Sequence, residues 1–263
     1  MTPSPFPRTV CFVAAAMTAI ALSGCTSAPD LDAQVAEPRA FITNGMMIYM
    51  ADAAVFTPCR GGDRVPIAME GGYLGLERAY SATIAAEGLA GGTPLMASVV
   101  ASVEERPPME GEGTRAHLVV ERALGVWPDE TCEANRADAP LEDTYWRIVA
   151  MRGEEVEPVG DAREPHMALS DGRASLTAGC NIFNGGVTLR ETLQGDGGGV
   201  AGTLSFGQMA ATRMACPGPL DALERRLQGI LPEVAQFEIA GNVMELRDAA
   251  GAPLALLQAA ERP

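Results

Sequence analysis

The sequence contains no lysine, and this absence limits the chemistry available to the protein. All 19 basic residues are arginine, and 34 aspartates and glutamates oppose them, so the net charge is −15. A chain without lysine cannot form a Schiff base through a lysine amine or use a Ser-Lys pair. The acidic excess also argues against binding to nucleic acid and against an electrostatic grip on anionic lipid.

Catalytic motifs are missing as well. The two histidines, His117 and His166, have no serine, cysteine or aspartate at a recognisable catalytic spacing. The sequence has no Gly-x-Ser-x-Gly and no His-Glu-x-x-His. The Gly-Asp-Gly-Gly-Gly run at residues 195–199 lacks a lysine and a following helix, so it indicates a flexible hairpin tip rather than a phosphate loop. We therefore predict no enzymatic activity and no cofactor.

The sequence has no apolar run long enough to span a bilayer as a helix. Its apolar segment at residues 10–22, preceded by Arg8, has the length of a signal-peptide core. The segment ends in Leu-Ser-Gly-Cys, which resembles the lipobox of bacterial lipoproteins, where a peptidase cuts before a lipid-modified cysteine. This resemblance implies that residues 1–24 are a lipoprotein signal peptide and that Cys25 is the lipidated first residue of the mature chain.

The residue after the lipidated cysteine indicates the destination. In such lipoproteins an aspartate there tends to retain the protein in the inner membrane, and this chain has Thr26. We expect an outer-membrane protein that is held by its acyl chains and faces the periplasm. Residues 25–44 are expected to be a flexible tether. The mature chain has 18 basic and 34 acidic residues, so its net charge is −16.

Four further cysteines remain in an oxidising compartment, two in each half of the mature chain. We expect two disulfides, Cys59–Cys132 and Cys180–Cys216. Metal ligation by thiolates is the alternative, but the sequence has no Cys-x-x-Cys, and neither histidine lies at ligand spacing from a cysteine. We therefore predict no metal site.

The first domain is predicted to span residues 45–132, before an acidic linker at residues 133–140. Its residues 73–86 have apolar side chains at helical spacing and predict one amphipathic helix. Short strand-like runs occupy residues 46–50, 53–56, 95–103 and 117–122. One helix and several short strands favour a small closed or partly closed barrel.

The motifs of this domain resemble a known family. They are Met-Ala-Asp-Ala-Ala-Val-Phe before Cys59, a basic Gly turn before Val-Pro-Ile-Ala, Leu-Glu-Arg-Ala-Tyr ending at Tyr80, and Trp-Pro-x-x-x-Cys ending at Cys132. Their order over residues 48–132 is similar to the C-terminal OB-type domain of the NlpE copper-resistance and envelope-stress lipoproteins. The N-terminal lipocalin-like domain of that family, which carries its Cys-x-x-Cys, has no counterpart here.

Three methionines in the first strand raise the possibility of a copper(I) site, because thioethers bind soft metals. These are Met46, Met47 and Met50. Methionines in an apolar strand more often fill a core. We expect them to point inward and not to bind metal.

The second domain is predicted to span residues 141–263. Its Asp171-Gly172 pair is favoured in two-residue type I′ hairpins. Residues 219–231 have inward leucines at helical spacing after a proline, which predicts one helix. Alternating strands surround that helix, so we expect a curved antiparallel sheet with one packed helix.

A set of motif residues in this domain resembles the META domain, also called HslJ-like, of bacterial envelope lipoproteins. The set is Gly179, Cys180, Asn181, Gly185, Thr212, Met214 and Cys216. The resemblance covers residues 141–260 and implies a stress-linked envelope protein without an established enzymatic activity. The whole chain is thus expected to be mainly β (α+β), with an OB-like barrel followed by a META-type sheet.

The function expected from these features is that of a non-enzymatic outer-membrane lipoprotein. It would act in stress response or envelope homeostasis through contacts with other envelope proteins, and not with nucleic acid. The alternative is a module in the periplasm that binds a small apolar ligand or a soft metal such as copper in one of its barrels.

Overall fold

The structure is a computed structural model that describes residues 40–108, 111–192 and 199–262. The expected signal peptide, Cys25 and the tether up to residue 39 lie outside the described residues, as does most of the glycine run at 195–199. The described chain has two helices, one short 3-10 helix and fourteen strands, so it is mainly β as expected.

The first domain is a five-stranded barrel with one helix. Its elements are β1 (Phe41–Met50), β2 (Ala53–Pro58), β3 (Val65–Pro66), α1 (Tyr73–Ala86), β4 (Leu95–Arg106) and β5 (Arg115–Trp127). The strands are ordered β3-β2-β1-β4-β5. A single parallel bridge between Ile67 and Leu118 joins the segment after β3 to β5. This connectivity, with the helix between β3 and β4, agrees with the expected OB-like barrel.

The helix closes one side of the first core. Leu76 and Tyr80 of α1 are buried against Met47, Phe56 and the apolar face of β4. The Tyr80 hydroxyl donates a hydrogen bond to the Thr93 carbonyl at 2.7 Å, so this large side chain is buried with its polar atom satisfied. The observed bounds of α1 are the predicted ones.

The second domain is an eight-stranded closed barrel. Its elements are β6 (Tyr145–Met151), β7 (Glu154–Glu155), β8 (His166–Ser170), β9 (Arg173–Thr177), β10 (Ile182–Thr192), β11 (Val200–Ala211), α2 (Gly218–Ile230), the 3-10 turn Leu231–Glu233, β12 (Gln236–Ala240), β13 (Val243–Arg247) and β14 (Pro253–Ala260). The barrel closes because β14 pairs with β6, and β7 extends the sheet beyond β6. The sequence predicts a curved sheet, and the structure curves that sheet until its ends meet.

Helix α2 packs onto this barrel with its apolar stripe. Leu220, Leu227 and Ile230 are buried, and Leu227 and Ile230 belong to the barrel core. The predicted hairpin turn is present, since Asp171 and Gly172 both have positive φ, at 51° and 68°.

One expectation about the domain edges is wrong. The tether was predicted to reach residue 44, but β1 begins at Phe41, and Ile42 and Asn44 are 1% and 5% exposed. The predicted linker at residues 133–140 contains no strand or helix, and its Asn135 is 1% exposed. Asn44 and Asn135 are polar residues of a type that normally indicates solvated chain, but they are buried here where the domains meet.

We call this contact the interdomain seam, formed by Ile42, Asn44, Asn135, Asp138, Glu238, Ala240, Gly241 and Asn242. The Asn44 Nδ2 donates to the Asn135 Oδ1 at 3.0 Å and to the Ala240 carbonyl at 2.6 Å. The backbone amide of Asn242 donates to the same Asn135 oxygen at 3.2 Å. Asn135 therefore links the first strand of one barrel to the β12–β13 turn of the other.

Charged and apolar contacts extend the seam. The Ile42 amide donates to the Glu238 carboxylate at 3.0 Å, and Ile42 packs against Val100 and Ala240. Arg122 of the first barrel pairs at 2.8 Å with Glu245 of the second, whose side chain is 1% exposed. All these residues belong to one compact unit of the chain.

Across the described residues, no helix combines the length and apolar character needed to cross a bilayer.

Candidate functional site

The motif residues of the second domain meet at one end of its barrel. Asn181 precedes β10, Thr212 follows β11, and Glu224 extends from α2 toward both. The Cys180–Cys216 disulfide, with Cα atoms 6.0 Å apart, joins the two loop segments. We call these five residues (Cys180, Asn181, Thr212, Cys216 and Glu224) the mouth cluster.

Asn181 is the centre of the mouth cluster and is 4% exposed. Its Oδ1 accepts hydrogen bonds from the Met214 amide at 2.8 Å and from the Thr212 hydroxyl at 2.9 Å. Its Nδ2 donates to the Glu224 carboxylate at 2.8 and 3.0 Å. Asn181 therefore fixes the position of the Thr212–Cys216 segment relative to α2.

Glu224 is held in the cluster by neutral donors. Its carboxylate also accepts hydrogen bonds from the Asn181 amide at 3.2 Å and from the Gln228 Nε2 at 3.2 Å. The Cys216 Sγ lies 3.2 Å from its Oε2. In the part of the chain that the structure describes, no arginine forms an ion pair with this carboxylate.

The other motif residues support the same geometry. Gly179 has φ +112°, and a Cβ there would lie 2.8 Å from the Leu220 side chain, so the motif needs glycine at this turn. At Gly185 a Cβ would lie 2.3 Å from the Met209 sulfur, beside the β10–β11 bulge. Met214 contributes its backbone amide, which donates to Asn181, while its side chain is exposed.

The predicted cysteine pairs are both present. Cys59 and Cys132 are bonded with Cα atoms 4.8 Å apart, which joins the end of β2 to the segment after β5. Asn184, a second polar candidate near Asn181 in the sequence, is exposed on β10.

The three methionines of β1 do not converge. Met47 is fully buried, but Met50 is 65% exposed, so the expectation that all of them point inward is wrong. Strand alternation places Met46 and Met50 on the face opposite to Met47. They therefore cannot form a three-thioether site within this strand.

The arrangement of polar groups does not activate a nucleophile. The Thr212 hydroxyl donates to an amide oxygen, which is not a base, and it accepts from the Ile182 amide at 3.0 Å. The histidine Nδ1 atoms each contact a nearby backbone oxygen, of Arg115 and Glu164 respectively, and neither histidine bonds to the mouth cluster. The geometry of the described residues suits a structural lock between loops and helix.

Sequence reasoning missed Glu224 and Gln228 as members of this site. The sequence pattern of α2 could have pointed to Glu224, because this residue lies between Leu220 and Leu227 on the inward stripe of the helix. A carboxylate on an apolar stripe indicates a specific buried partner.

A cleft lies beside the mouth cluster, between the β10–β11 pair and the end of α2. It has a volume of about 400 Å³, and its lining includes Phe183, Phe206, Met209 and Leu231. Gln228 lines the cleft and also donates a hydrogen bond to Glu224, so this side chain connects the cleft to the mouth cluster.

The folds and sites together define a two-domain β-barrel protein with one disulfide in each half. Residues 139–261 match the family model of the META domain, and residues 37–133 match that of the NlpE C-terminal OB domain. The chain thus contains an NlpE-type OB domain followed by a META domain. These domains indicate an envelope lipoprotein family, and neither is of a known enzyme family.

Two solved structures are similar to parts of the chain. One is a crystal structure of the Cpx pathway activator NlpE from Escherichia coli, 23% identical, with a TM-score of 0.31, covering 46% of this chain and 55% of that one. The other is an NMR structure of a protein from Burkholderia xenovorans, 24% identical, with a TM-score of 0.35, covering 52% of this chain and 98% of that one. The chain thus spans about half the length of the NlpE structure. No curated protein matches the sequence.

Proposed function

We propose that this chain is a non-enzymatic lipoprotein of the outer membrane that acts in envelope stress response or homeostasis through contacts with other envelope proteins. The observation that carries the proposal is the hydrogen bonding of the polar groups in the mouth cluster. The hydrogen bonds of Asn181, Thr212 and Glu224 are made to one another, to Gln228 and to the backbone of Ile182 and Met214. These groups therefore hold the loops and helix in a fixed arrangement instead of forming a reaction centre.

The interdomain seam supports the same function. The Asn135 and Glu238 contacts join the two barrels into one unit. A contact protein gains from such rigidity, because a surface that is already ordered loses less conformational entropy on binding.

A strain lacking the gene tests the stress role. We expect the deletion strain to lose viability under at least one of heat, copper and antibiotic stress, and the wild-type gene to restore it. Equal survival of the deletion and parent strains under all three stresses would contradict the proposed role.

The Cys25→Ser variant tests the anchor in the same strain. The Leu-Ser-Gly-Cys motif leads us to expect that this variant is not lipidated, remains in the soluble periplasmic fraction and complements poorly. Ala28→Ser is the control, since it changes a residue just after the motif, leaves both disulfides intact and should stay with the membrane. A Cys25→Ser protein that is processed normally and tightly bound to the outer membrane would refute the lipoprotein assignment.

The cleft beside the mouth cluster favours a second candidate function, the binding of a small apolar ligand. Its volume of about 400 Å³ and its apolar lining fall within the range of small-molecule sites. The fluorescent probe 1-anilinonaphthalene-8-sulfonate should bind the purified protein, and Phe206→Gln should abolish that binding. Leu74→Gln is the control, because Leu74 is exposed apolar surface on the other barrel and lies outside the cleft. Loss of probe binding in both variants, or in neither, would count against the cleft.

A further inference from the structure

The mouth cluster contains the one group of three potential metal ligands found among the described residues. The Cys180 Sγ, the Cys216 Sγ and a carboxylate oxygen of Glu224 all lie within 4.8 Å of one another. In the oxidised chain the two sulfurs are bonded to each other, and a disulfide sulfur is a poor ligand compared with a thiolate. The oxidised protein therefore presents only the carboxylate.

The charged neighbours of Glu224 differ from those of Glu245, which is buried, and Glu238, which is partly buried. Glu245 and Glu238 are both paired with Arg247, at 2.7 Å each. Glu224 has hydrogen-bond donors from Asn181 and Gln228 but no arginine partner within the described chain. A carboxylate shielded from water without a counter-charge is costly, so the site favours a cation.

We propose that reduction of the Cys180–Cys216 disulfide converts the mouth cluster into a zinc site, with both thiolates and the Glu224 carboxylate as ligands. A dithiol reductant transfers two electrons and two protons to the disulfide, which gives two protein thiols and the oxidised reductant. Zinc binding then releases the two thiol protons, so that two thiolates and one carboxylate hold the divalent ion.

The local backbone can accommodate this change. Zinc–thiolate bonds of about 2.3 Å in tetrahedral geometry place two sulfurs roughly 3.8 Å apart. The Cα atoms of the two cysteines are 6.0 Å apart, so rotation about the Cα–Cβ bonds can separate the sulfurs. Cys216 lies outside the strands and helices and is only partly buried, so its side chain can rotate without displacing a strand or helix.

The ligand set selects the ion. Thiolates favour soft or borderline metals and so disfavour magnesium and calcium. The carboxylate is a hard ligand that favours zinc over copper(I). Two thiolates, one carboxylate and one water complete the four positions that zinc prefers.

The test is a zinc titration of the purified full chain against a chromogenic chelator, with and without the reductant tris(2-carboxyethyl)phosphine. We expect the reduced protein to bind one zinc ion per chain and the oxidised protein to bind it far more weakly. Loss of an outer-shell partner weakens metal sites by roughly 10- to 100-fold, so loss of a direct ligand in Glu224→Gln should weaken zinc binding by at least that factor. Glu233→Gln, a nearby exposed carboxylate, is the matched control and should bind as the wild type does.

The reduced Cys180→Ala/Cys216→Ala variant retains Cys59 and Cys132. It therefore shows which of the two cysteine pairs binds the zinc. Equal zinc binding by this variant and by the reduced wild type would overturn the proposal.

Alkylation of the wild-type chain tests the same site without a substitution that could disturb folding. Zinc should protect Cys180 and Cys216, but not Cys59 and Cys132, from alkylation in the reduced protein, as read by peptide mass spectrometry. Alkylation of all four cysteines at unchanged rates would equally refute the zinc site.

Discussion

The two barrels close in different ways. The second barrel closes through a ladder in which β14 pairs with β6 from Ala255 to Ala260. The first barrel closes through the isolated Ile67–Leu118 bridge, where the Ala68 amide donates to the Leu118 carbonyl at 2.9 Å, and through a bond from the Gly72 amide to the Val120 carbonyl at 2.6 Å. Closure of the first barrel therefore depends more on covalent and side-chain constraints than on backbone pairing.

The two disulfides also differ in how much of the chain each one encloses. Cys59–Cys132 spans 73 residues and joins β2 to the segment that leads into the interdomain seam. Cys180–Cys216 spans 36 residues within one barrel and fixes the loop beside α2. One bond thus encloses most of the first domain, and the other constrains one end of a barrel that is already closed.

Removal of each disulfide is the strongest way to test this comparison. Cys180→Ala/Cys216→Ala should lower the free energy of unfolding of the second barrel by about 2–5 kcal/mol. Cys59→Ala/Cys132→Ala should cost about 0.6 kcal/mol more in chain entropy, because its loop is twice as long.

Each barrel contains one tryptophan, so fluorescence can follow the unfolding of either barrel. Trp127 lies on β5 of the first barrel and Trp146 on β6 of the second, and the chain has only these two. Urea unfolding monitored by fluorescence in Trp127→Phe and Trp146→Phe backgrounds reports on each barrel. A larger loss of unfolding free energy in Cys180→Ala/Cys216→Ala than in Cys59→Ala/Cys132→Ala would contradict the comparison.

Asn135→Ala tests whether the barrels unfold together. The substitution leaves the buried Asn242 amide without its acceptor and removes one bond from Asn44, so we expect a loss of about 1–3 kcal/mol. The fluorescence transitions of the two tryptophans should coincide in the wild type and separate in the variant.

Asn184→Ala is the control for this experiment. Asn184 is exposed, and its replacement should change stability by less than about 0.5 kcal/mol. Transitions that are separate in the wild type, or that stay together in Asn135→Ala, would show that the interdomain seam does not couple the barrels.

Local features of this fold are readable from the sequence. The α1 helix from Tyr73 to Ala86 has the predicted bounds because its apolar residues recur at helical spacing. The Asp171-Gly172 turn is present because both residues tolerate positive φ. The cysteine pairs agree with the prediction because each domain contains two cysteines and each pair bonds within its own half.

Long-range features are not readable in this way. The β14–β6 pairing joins residues more than 100 positions apart, and no local pattern encodes which strand a final strand will meet. The interdomain seam is hidden for another reason, because Asn44 and Asn135 have the composition of solvated chain and yet are buried by one another. Buried polar pairs resemble surface residues until their partners are known.

The smallest predicted effect concerns a buried tyrosine in each barrel. In the first barrel, burial raises the pKa of Tyr73, and nearby Glu77 raises it further. In the second, burial followed by a hydrogen bond to Glu164 raises the pKa of Tyr145 to about 12. Tyr145 lies on β6 and pairs with Ala260, so its phenol reports directly on the closing ladder of the second barrel.

The sign of the pH effect follows from these pKa values. An unfolded tyrosine ionises near about pH 10, whereas Tyr145 in the fold stays neutral until about pH 12. The folded state therefore holds its proton more tightly, and the stability due to Tyr145 is complete below about pH 10 and decreases as the pH rises toward 12. Tyr145→Phe should remove this part of the alkaline sensitivity.

A spectrophotometric titration of tyrosinate absorbance, with circular dichroism to confirm the fold at each pH, measures this pKa. The wild type should show a component near pH 12 that is absent in Tyr145→Phe. Glu164→Gln removes the charged hydrogen-bond partner and should lower the pKa of Tyr145 only in part, because burial is the larger cause. A Tyr145 that ionises at the ordinary pKa while the barrel remains folded would show that the closing ladder admits water, and the second barrel would then be no more tightly closed than the first.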